Sequence, residues 1–160
     1  DGDPANTITR MMAGLTRSDD PAAAVRMIQP GPDGLIARLP ETDGLPGWIS
    51  PREVDHYISE FTRTGFTGGL NWYRNLDRNW EILADPPAAT IDVPAMFIAG
   101  TYDPVLGFMR HDRAAQVVTG RYREVLIDGA GHWLQQERPD QINEVVLDFL
   151  SSLKTTGHPS

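Results

Sequence analysis

The sequence predicts an α/β fold in which a helical segment precedes the strands of a parallel sheet, and three features of its 160 residues support this. Residues 93–100 are almost wholly apolar, as expected of a strand buried on both faces of a parallel sheet, and residues 123–127 form a second candidate strand. After Pro139, apolar residues recur at helical spacing. Before residue 90, short apolar runs alternate with Pro and Gly clusters, which indicates helices and turns rather than a sheet.

The first 50 residues are predicted to form short helices joined by turns. Pro and Gly cluster at residues 31–34 and 45–47, and each cluster separates short apolar runs. An irregular helical segment of this kind suits a lid over a binding site.

Two longer helices are predicted next. The first begins at Ser50, which forms a capping box with Glu53, and it ends at Gly65, because glycine tolerates the left-handed backbone common just past a helix. The second runs from about Gly69 to Leu83, where apolar residues recur at spacings of three and four on one stripe. That stripe consists of Tyr73, Leu76, Trp80 and Leu83.

The second half is predicted to form a βαβ unit and a final helix. Residues 109–119 are expected to cross between the two strands as a helix, in the right-handed sense. The final helix opens at Pro139, and burial of each apolar side chain on it is expected to contribute about 1.5–3 kcal/mol. Its apolar stripe consists of Ile142, Val145, Val146, Phe149, Leu150 and Leu153.

These elements predict three segments. Residues 1–88 form a helical cap that returns into the core, residues 89–155 form the C-terminal part of the core, and residues 156–160 form a tail. Two strands and their helices do not complete a layered domain, so the core segment is expected to be the final portion of a larger doubly wound sheet. The chain starts at Asp1 without an initiator methionine, and we therefore expect an amino-terminal portion to be missing.

Composition argues against several classes of function. Acidic residues outnumber basic residues by 22 to 14, and the basic ones are scattered, so no nucleic-acid partner is expected. No apolar run approaches the roughly 20 residues of a membrane helix, so no membrane partner is expected. The chain has no cysteine, which fits a reducing compartment, and we expect a cytoplasmic protein. His56, His111 and His158 lack metal-ligand spacing and are interpreted as surface or tail residues, so neither a metal nor an organic cofactor is implied.

An acid and a histidine follow the two predicted strands. Asp103 comes directly after the first strand and its short turn, and His132 follows the second strand through the glycine-containing loop 128–131. Because loops at the carboxyl ends of parallel strands converge on one crevice, we expect the two side chains to meet. A carboxylate bonded to one imidazole nitrogen fixes the tautomer and leaves the other nitrogen to take a proton from water. The plain alternative is that Asp103 only forms a turn and that His132 is an ordinary loop histidine.

Three segments together resemble the soluble epoxide hydrolases of the α/β-hydrolase fold, most closely the actinobacterial and plant-type enzymes. They are Phe66-Thr67-Gly68-Gly69-Leu70-Asn71-Trp72-Tyr73-Arg74-Asn75, Gly100-Thr101-Tyr102-Asp103-Pro104-Val105 and Gly129-Ala130-Gly131-His132-Trp133. The resemblance implies that the chain is the C-terminal half of such an enzyme, with a helical cap ahead of the last parallel strands and helices of the core. Residues 71–75 are the specific part, because a glycine–histidine pair after a strand is common to many α/β-hydrolases.

The resemblance further implies hydrolysis of an epoxide to a vicinal diol through a covalent alkyl-enzyme ester. Asp103 and His132 would activate the water that hydrolyses the ester, and Tyr73 would polarise the epoxide oxygen, although spacing alone makes Tyr73 an ordinary core-facing aromatic. Assigned to substrate binding, with plain core packing as the alternative, are Trp72, Val105, Leu106 and Trp133.

The partners implied by the resemblance are a small apolar epoxide, water and the missing amino-terminal half. That half would supply the nucleophilic aspartate, the oxyanion loop and the second lid tyrosine, so this chain alone is expected to be inactive. A homodimer is left open.

Two other functions are also open on the sequence. Dehalogenation by an aspartate nucleophile, or ester hydrolysis by a serine nucleophile, would use the same fold and the same acid–histidine pair. The residue at the missing nucleophile turn distinguishes these chemistries from epoxide hydrolysis. A non-catalytic interaction fragment is the other alternative, and a missing half without any nucleophile would favour it.

Overall fold

The fold is given by a computed structural model that describes residues 2–16, 22–29, 32–39, 41, 44–83 and 90–154. The α-helices of these residues are α1 (Pro4–Gly14), α2 (Ala23–Ile28), α3 (Leu35–Arg38), α4 (Pro51–Thr64), α5 (Thr67–Arg74), α6 (Leu76–Leu83), α7 (Ala114–Val117), α8 (Leu134–Glu137) and α9 (Pro139–Lys154). The strands are β1 (Ala95–Gly100) and β2 (Tyr122–Ile127), and short 3-10 helices lie at Pro104–Gly107 and His111–Arg113. The predicted α/β class is confirmed.

The two strands form a parallel pair. Ala95 pairs with Tyr122 at one end, and Gly100 pairs with Ile127 at the other. Both strands therefore end at the same edge of the sheet, and the loops that follow them leave from that edge. This register brings the predicted acid and histidine to one side of the fold.

The helix between the strands is shorter than predicted. In place of one helix over residues 109–119, a 3-10 turn leads into the four-residue helix α7. Helix α7 ends where the backbone pairs with Ile91 instead. The N–H of Ile91 donates to Val117 O at 2.8 Å, and its carbonyl accepts from Thr119 N at 2.8 Å. Val118 thus enters an isolated parallel bridge with Ile91.

The helix predicted from Gly69 to Leu83 is divided into α5 and α6 at Asn75. The side-chain amide of Asn75 donates to the carbonyl oxygen of Asn71 at 2.7 Å. That carbonyl is the one a continuous helix would pair with the backbone N–H of Asn75, so the side chain competes with the helix. The predicted stripe is therefore distributed over two short helices.

Helix α4 begins and ends as predicted. The Ser50 hydroxyl accepts from Glu53 N at 3.3 Å, and the Glu53 carboxylate accepts from Ser50 N at 2.8 Å, which completes the capping box. Gly65 ends the helix with φ at +69° and donates its N–H to Phe61 O at 2.9 Å.

Two apolar clusters hold the described residues together. The first joins α1 to α4 and consists of Ile8, Met12, Ile49 and Val54. The second joins the end of β2 to α8 and α9 and consists of Ile127, Ala130, Leu134 and Ile142. On α9, Ile142 and Phe149 are buried, whereas Leu150 is 48% exposed. Among the described helices, none has both the length and the apolar character needed to cross a membrane.

Candidate active site

Asp103 is held at the carboxyl end of β1 by the 3-10 turn that follows it. One carboxylate oxygen, Oδ1, accepts the N–H of Val105 at 2.8 Å and so caps that turn. The other oxygen, Oδ2, is left to face the neighbouring loop. Capping therefore orients the carboxylate as well as starting the turn.

His132 lies on the loop after β2, which turns sharply at Gly129. Gly129 has φ at +67°, a conformation that costs side-chain-bearing residues energy. The two loops are also bonded to each other, because Thr101 N donates to Ile127 O at 3.0 Å and Tyr102 N donates to Ala130 O at 2.9 Å. The acid loop and the histidine loop consequently form one structure.

The predicted contact between the two side chains is present. His132 Nδ1 lies 3.0 Å from Asp103 Oδ2. The Asp103 side chain is 11% exposed and that of His132 is 36% exposed. The carboxylate thus fixes the ring from the protein side, while Nε2 makes no hydrogen bond to any described residue. A free Nε2 is the nitrogen that can accept a proton from water.

The pKa of His132 is raised above its usual value. The hydrogen bond to Asp103 is the largest cause; partial burial acts in the opposite direction, and the negative charges of Asp103 and Glu137 raise the pKa further. A raised pKa makes the neutral imidazole a stronger base toward a bound water molecule.

Three successive backbone N–H groups of the histidine loop, those of residues 131–133, donate hydrogen bonds that fix the loop. Gly131 N donates to Glu137 Oε2 at 2.8 Å, and Trp133 N donates to Glu137 Oε1 at 3.0 Å. Between them, His132 N donates to the carbonyl oxygen of Leu15 at 3.0 Å. Glu137 is thus a site residue that the sequence analysis missed, because nothing in the sequence around it distinguishes a buried carboxylate from an exposed one.

The loop also lies against the end of α1 without space for a side chain at Gly131. A Cβ at this position would lie 1.3 Å from the carbonyl oxygen of Thr16. Only glycine permits this approach of two backbones. The amino-terminal helix is therefore part of the support of the histidine loop.

The predicted substrate-binding residues differ in their exposure and contacts. Trp133 packs edge-on against the His132 ring, with centroids 5.2 Å apart, and its indole N–H donates to Met11 O at 3.3 Å. Val105 and Leu106 are half-buried in the turn after Asp103. Trp72, on α5, is 81% exposed.

Tyr73 lies on α5 with 72% of its surface exposed. No hydrogen bond joins its hydroxyl to another described residue. The role of Tyr73 therefore stays a prediction.

Two open grooves are lined by described residues. One, of about 690 Å³, is lined by Trp48, Ile49, Ser50, Arg52, Glu53, His56, Tyr57 and Gln136. The other, of about 320 Å³, is lined by Gly68, Asn71, Trp72, Asn75 and Asn79. Neither set includes Asp103 or His132, so these grooves are separate from the acid–histidine pair.

His111 is less exposed than its interpretation as a surface residue implies. Its side chain is 23% exposed and has Nδ1 3.5 Å from Glu124 Oε1, and its ring stacks on Phe97 with centroids 5.4 Å apart. His56 is exposed, and His158 lies outside the described residues. Within the described residues, no group of three or more acidic or histidine side chains has the geometry of a metal site.

Comparison with known proteins gives the family. Epoxide hydrolase A of Mycobacterium tuberculosis is 66% identical over 153 residues, which covers 96% of this chain and 48% of that protein. The crystal structure of epoxide hydrolase A from Mycobacterium thermoresistibile matches with a TM-score of 0.85 and 63% identity over 94% of this chain and 47% of that one. An epoxide hydrolase from an endophytic Streptomyces matches with a TM-score of 0.85 and 36% identity over 96% of this chain and 47% of that one. No protein-family model matches the chain.

Parallel strands that present an acid and then a histidine on successive loops match the chain order of the α/β-hydrolase class, and the solved structures that match the chain share this fold. Within that class, the chain belongs to the epoxide hydrolase family. It spans about half the length of the relatives it matches.

Proposed function

We propose that the protein containing this chain hydrolyses epoxides to vicinal diols through a covalent alkyl-enzyme ester. The observation that carries the proposal is the 3.0 Å contact between His132 Nδ1 and Asp103 Oδ2, in a chain of the epoxide hydrolase family. In this proposal residues 1–88 serve as a cap and residues 89–155 belong to the catalytic core.

In the first step, an aspartate from the remaining part of the protein attacks a carbon of the epoxide. A bond forms between the carboxylate oxygen and that carbon while the bond from the carbon to the ring oxygen breaks. The ring oxygen leaves with the electron pair, and it takes a proton from the Tyr73 phenol, which regains one from water. A phenol stabilises the developing negative charge as a hydrogen-bond donor.

In the second step, His132 removes a proton from water through Nε2. The hydroxide adds to the ester carbonyl carbon, and the tetrahedral intermediate then expels the alkoxide of the diol. The imidazolium returns its proton to that alkoxide, which leaves the enzyme carboxyl as the acid. This acid loses its proton to the hydroxide that formed when water reprotonated Tyr73, so the carboxylate is regenerated. Asp103 stabilises the imidazolium during this cycle, and the raised pKa of His132 supports this role.

The test uses the full-length protein and an aryl epoxide such as styrene oxide. His132→Gln should form the ester and then accumulate it, because only the second step needs the base. Intact-mass spectrometry should show an adduct equal to the mass of the epoxide, with ester hydrolysis slower by about 10²–10⁴-fold. Tyr73→Phe should instead slow formation of the adduct by about 10²-fold.

The matched control is His56→Gln, which removes an exposed histidine of α4 by the same substitution. This variant should hydrolyse the epoxide at the wild-type rate without a persistent adduct. Diol formation at the wild-type rate in both His132→Gln and Tyr73→Phe would refute the mechanism.

A further inference from the structure

Glu137 is the most buried charged residue of the described part of the chain, with 8% of its surface exposed. A carboxylate in such a position is stable only if hydrogen bonds replace its lost hydration. Its partners are the N–H groups of Gly131 and Trp133, at 2.8 and 3.0 Å, one on each carboxylate oxygen. The carboxylate therefore spans the residue between them, which is His132.

We propose that Glu137 is a positioning residue for His132, holding its backbone in place through these two bonds and placing a negative charge beside its ring. The kinetic part of this inference rests on the proposed function, in which His132 is the base of the second step. Glu137 acts through the loop and the ring, and it does not touch the reacting atoms.

Two further observations support this role. The third N–H of the loop, that of His132, donates to Leu15 O, so loss of Glu137 would leave only one of these three N–H groups with its hydrogen bond. The charge of Glu137 also contributes to the raised pKa of His132, after the larger effect of the Asp103 hydrogen bond. An uncharged residue that only completed the short helix α8 would fix the loop without influencing the titration of the ring.

The experiment compares Glu137→Gln and Glu137→Asp in the full-length protein. Glutamine keeps the shape but removes the charge and one acceptor, whereas aspartate keeps the charge and is too short to reach both N–H groups. Glu144→Gln is the matched control, because Glu144 is exposed on α9. Three quantities are measured: the rate of adduct formation, the rate of ester hydrolysis, and the titration of His132 by NMR of the labelled imidazole.

We expect Glu137→Gln to hydrolyse the ester about 10–100-fold more slowly, since a small displacement of a catalytic group is enough for such a loss. Adduct formation should be unchanged, and the pKa of His132 should be lower than in the wild type. Glu137→Asp should also slow ester hydrolysis while leaving the His132 pKa closer to the wild-type value, and it provides the test if Glu137→Gln does not fold. Glu144→Gln should change none of the three quantities.

An unchanged pKa of His132 in a folded Glu137→Gln variant would overturn the inference, and so would wild-type ester hydrolysis in both Glu137 variants. Equal slowing of both steps would overturn it as well, because general damage to the fold would then explain the loss. Failure of the proposed function has a different signature, namely that the wild type forms no adduct with an epoxide. In that case the NMR titration alone decides the role of Glu137.

Discussion

The acid–histidine corner, residues 101–103 and 129–137, and the helical pair α5–α6 differ in how the fold holds them. In the corner, both loops are bonded to each other and the histidine loop is also bonded to α1. Every residue of α5 and α6 is exposed. The large apolar side chains exposed there, by 43% to 81%, are Leu70, Trp72, Tyr73, Leu76, Trp80, Ile82 and Leu83.

This difference shows which part of the proposed site is already assembled within the described residues. The Asp103–His132 contact needs no group beyond those of the corner and α1. Tyr73 is on α5, whose large apolar side chains are exposed, and a group of exposed apolar side chains is typical of a surface that binds a partner. The position of Tyr73 relative to His132 therefore depends on what covers α5 and α6.

The largest effect is expected from substitution of Asp103, the acid of the acid–histidine corner. Asp103→Asn removes the charge that stabilises the imidazolium and the acceptor that fixes its tautomer, so ester hydrolysis should slow by about 10²–10⁴-fold. The hydrogen bond of Asp103 is the main cause of the raised His132 pKa, so the variant should have a lower pKa. Single-turnover rates measured across pH should show a lower plateau and an acidic limb displaced to lower pH.

The pH dependence of ester hydrolysis follows from the neutral form of His132 being the active one. As pH falls through the raised pKa of His132, the ring is protonated and ester hydrolysis stops. Stability has the opposite sign: the protonated ring stabilises the folded chain fully below the unfolded value near 6.5, and this contribution is lost as pH rises through the folded pKa. An acidic limb at the same pH in wild type and Asp103→Asn would contradict the assignment of that limb to His132.

The next effect concerns backbone packing and compares one glycine from each region. Gly131→Ala should destabilise the full-length protein by about 3 kcal/mol, because its Cβ would lie 1.3 Å from Thr16 O, a backbone atom that cannot rotate away. Gly69→Ala on α5 has no atom within 4 Å of its added Cβ and should stabilise by about 0.5–1 kcal/mol, since alanine favours the helix. Urea unfolding of both variants measures the difference.

Equal losses of stability in the two variants would refute the contrast between the regions. A loss in Gly69→Ala alone would show that another part of the protein lies close against α5. Either result would be visible without an activity assay, so this prediction is independent of the proposed function.

What the sequence predicted correctly depends on short-range signals. The capping box at Ser50 and the stop at Gly65 are encoded by residues within one turn of the feature. The Asp103–His132 contact was also predictable, because parallel strands bring their following loops to one edge. These predictions needed no knowledge of side-chain packing.

What the sequence did not predict depends on competition and on distant partners. The break at Asn75 arises because a side-chain amide takes a carbonyl that the helix would use, and the same residue is tolerated in many helices. The half-buried position of His111 depends on Phe97 and Glu124 in the strands. Burial of Glu137 depends on two N–H groups that are left free by the turn at Gly131 and Trp133.

The smallest expected effect comes from a matched pair of tryptophans. Trp80 on α6 is 76% exposed, so Trp80→Ser should change the free energy of unfolding by no more than about 0.5 kcal/mol. Trp133 is half-buried, packs on the first apolar cluster and donates to Met11 O, so Trp133→Ser should cost about 2 kcal/mol or more. Thermal or urea unfolding of the full-length variants compares the two. A cost at Trp80 as large as that at Trp133 would mean that residues outside the described ones cover α5 and α6, and Tyr73 would then be oriented by that contact rather than by its own helix.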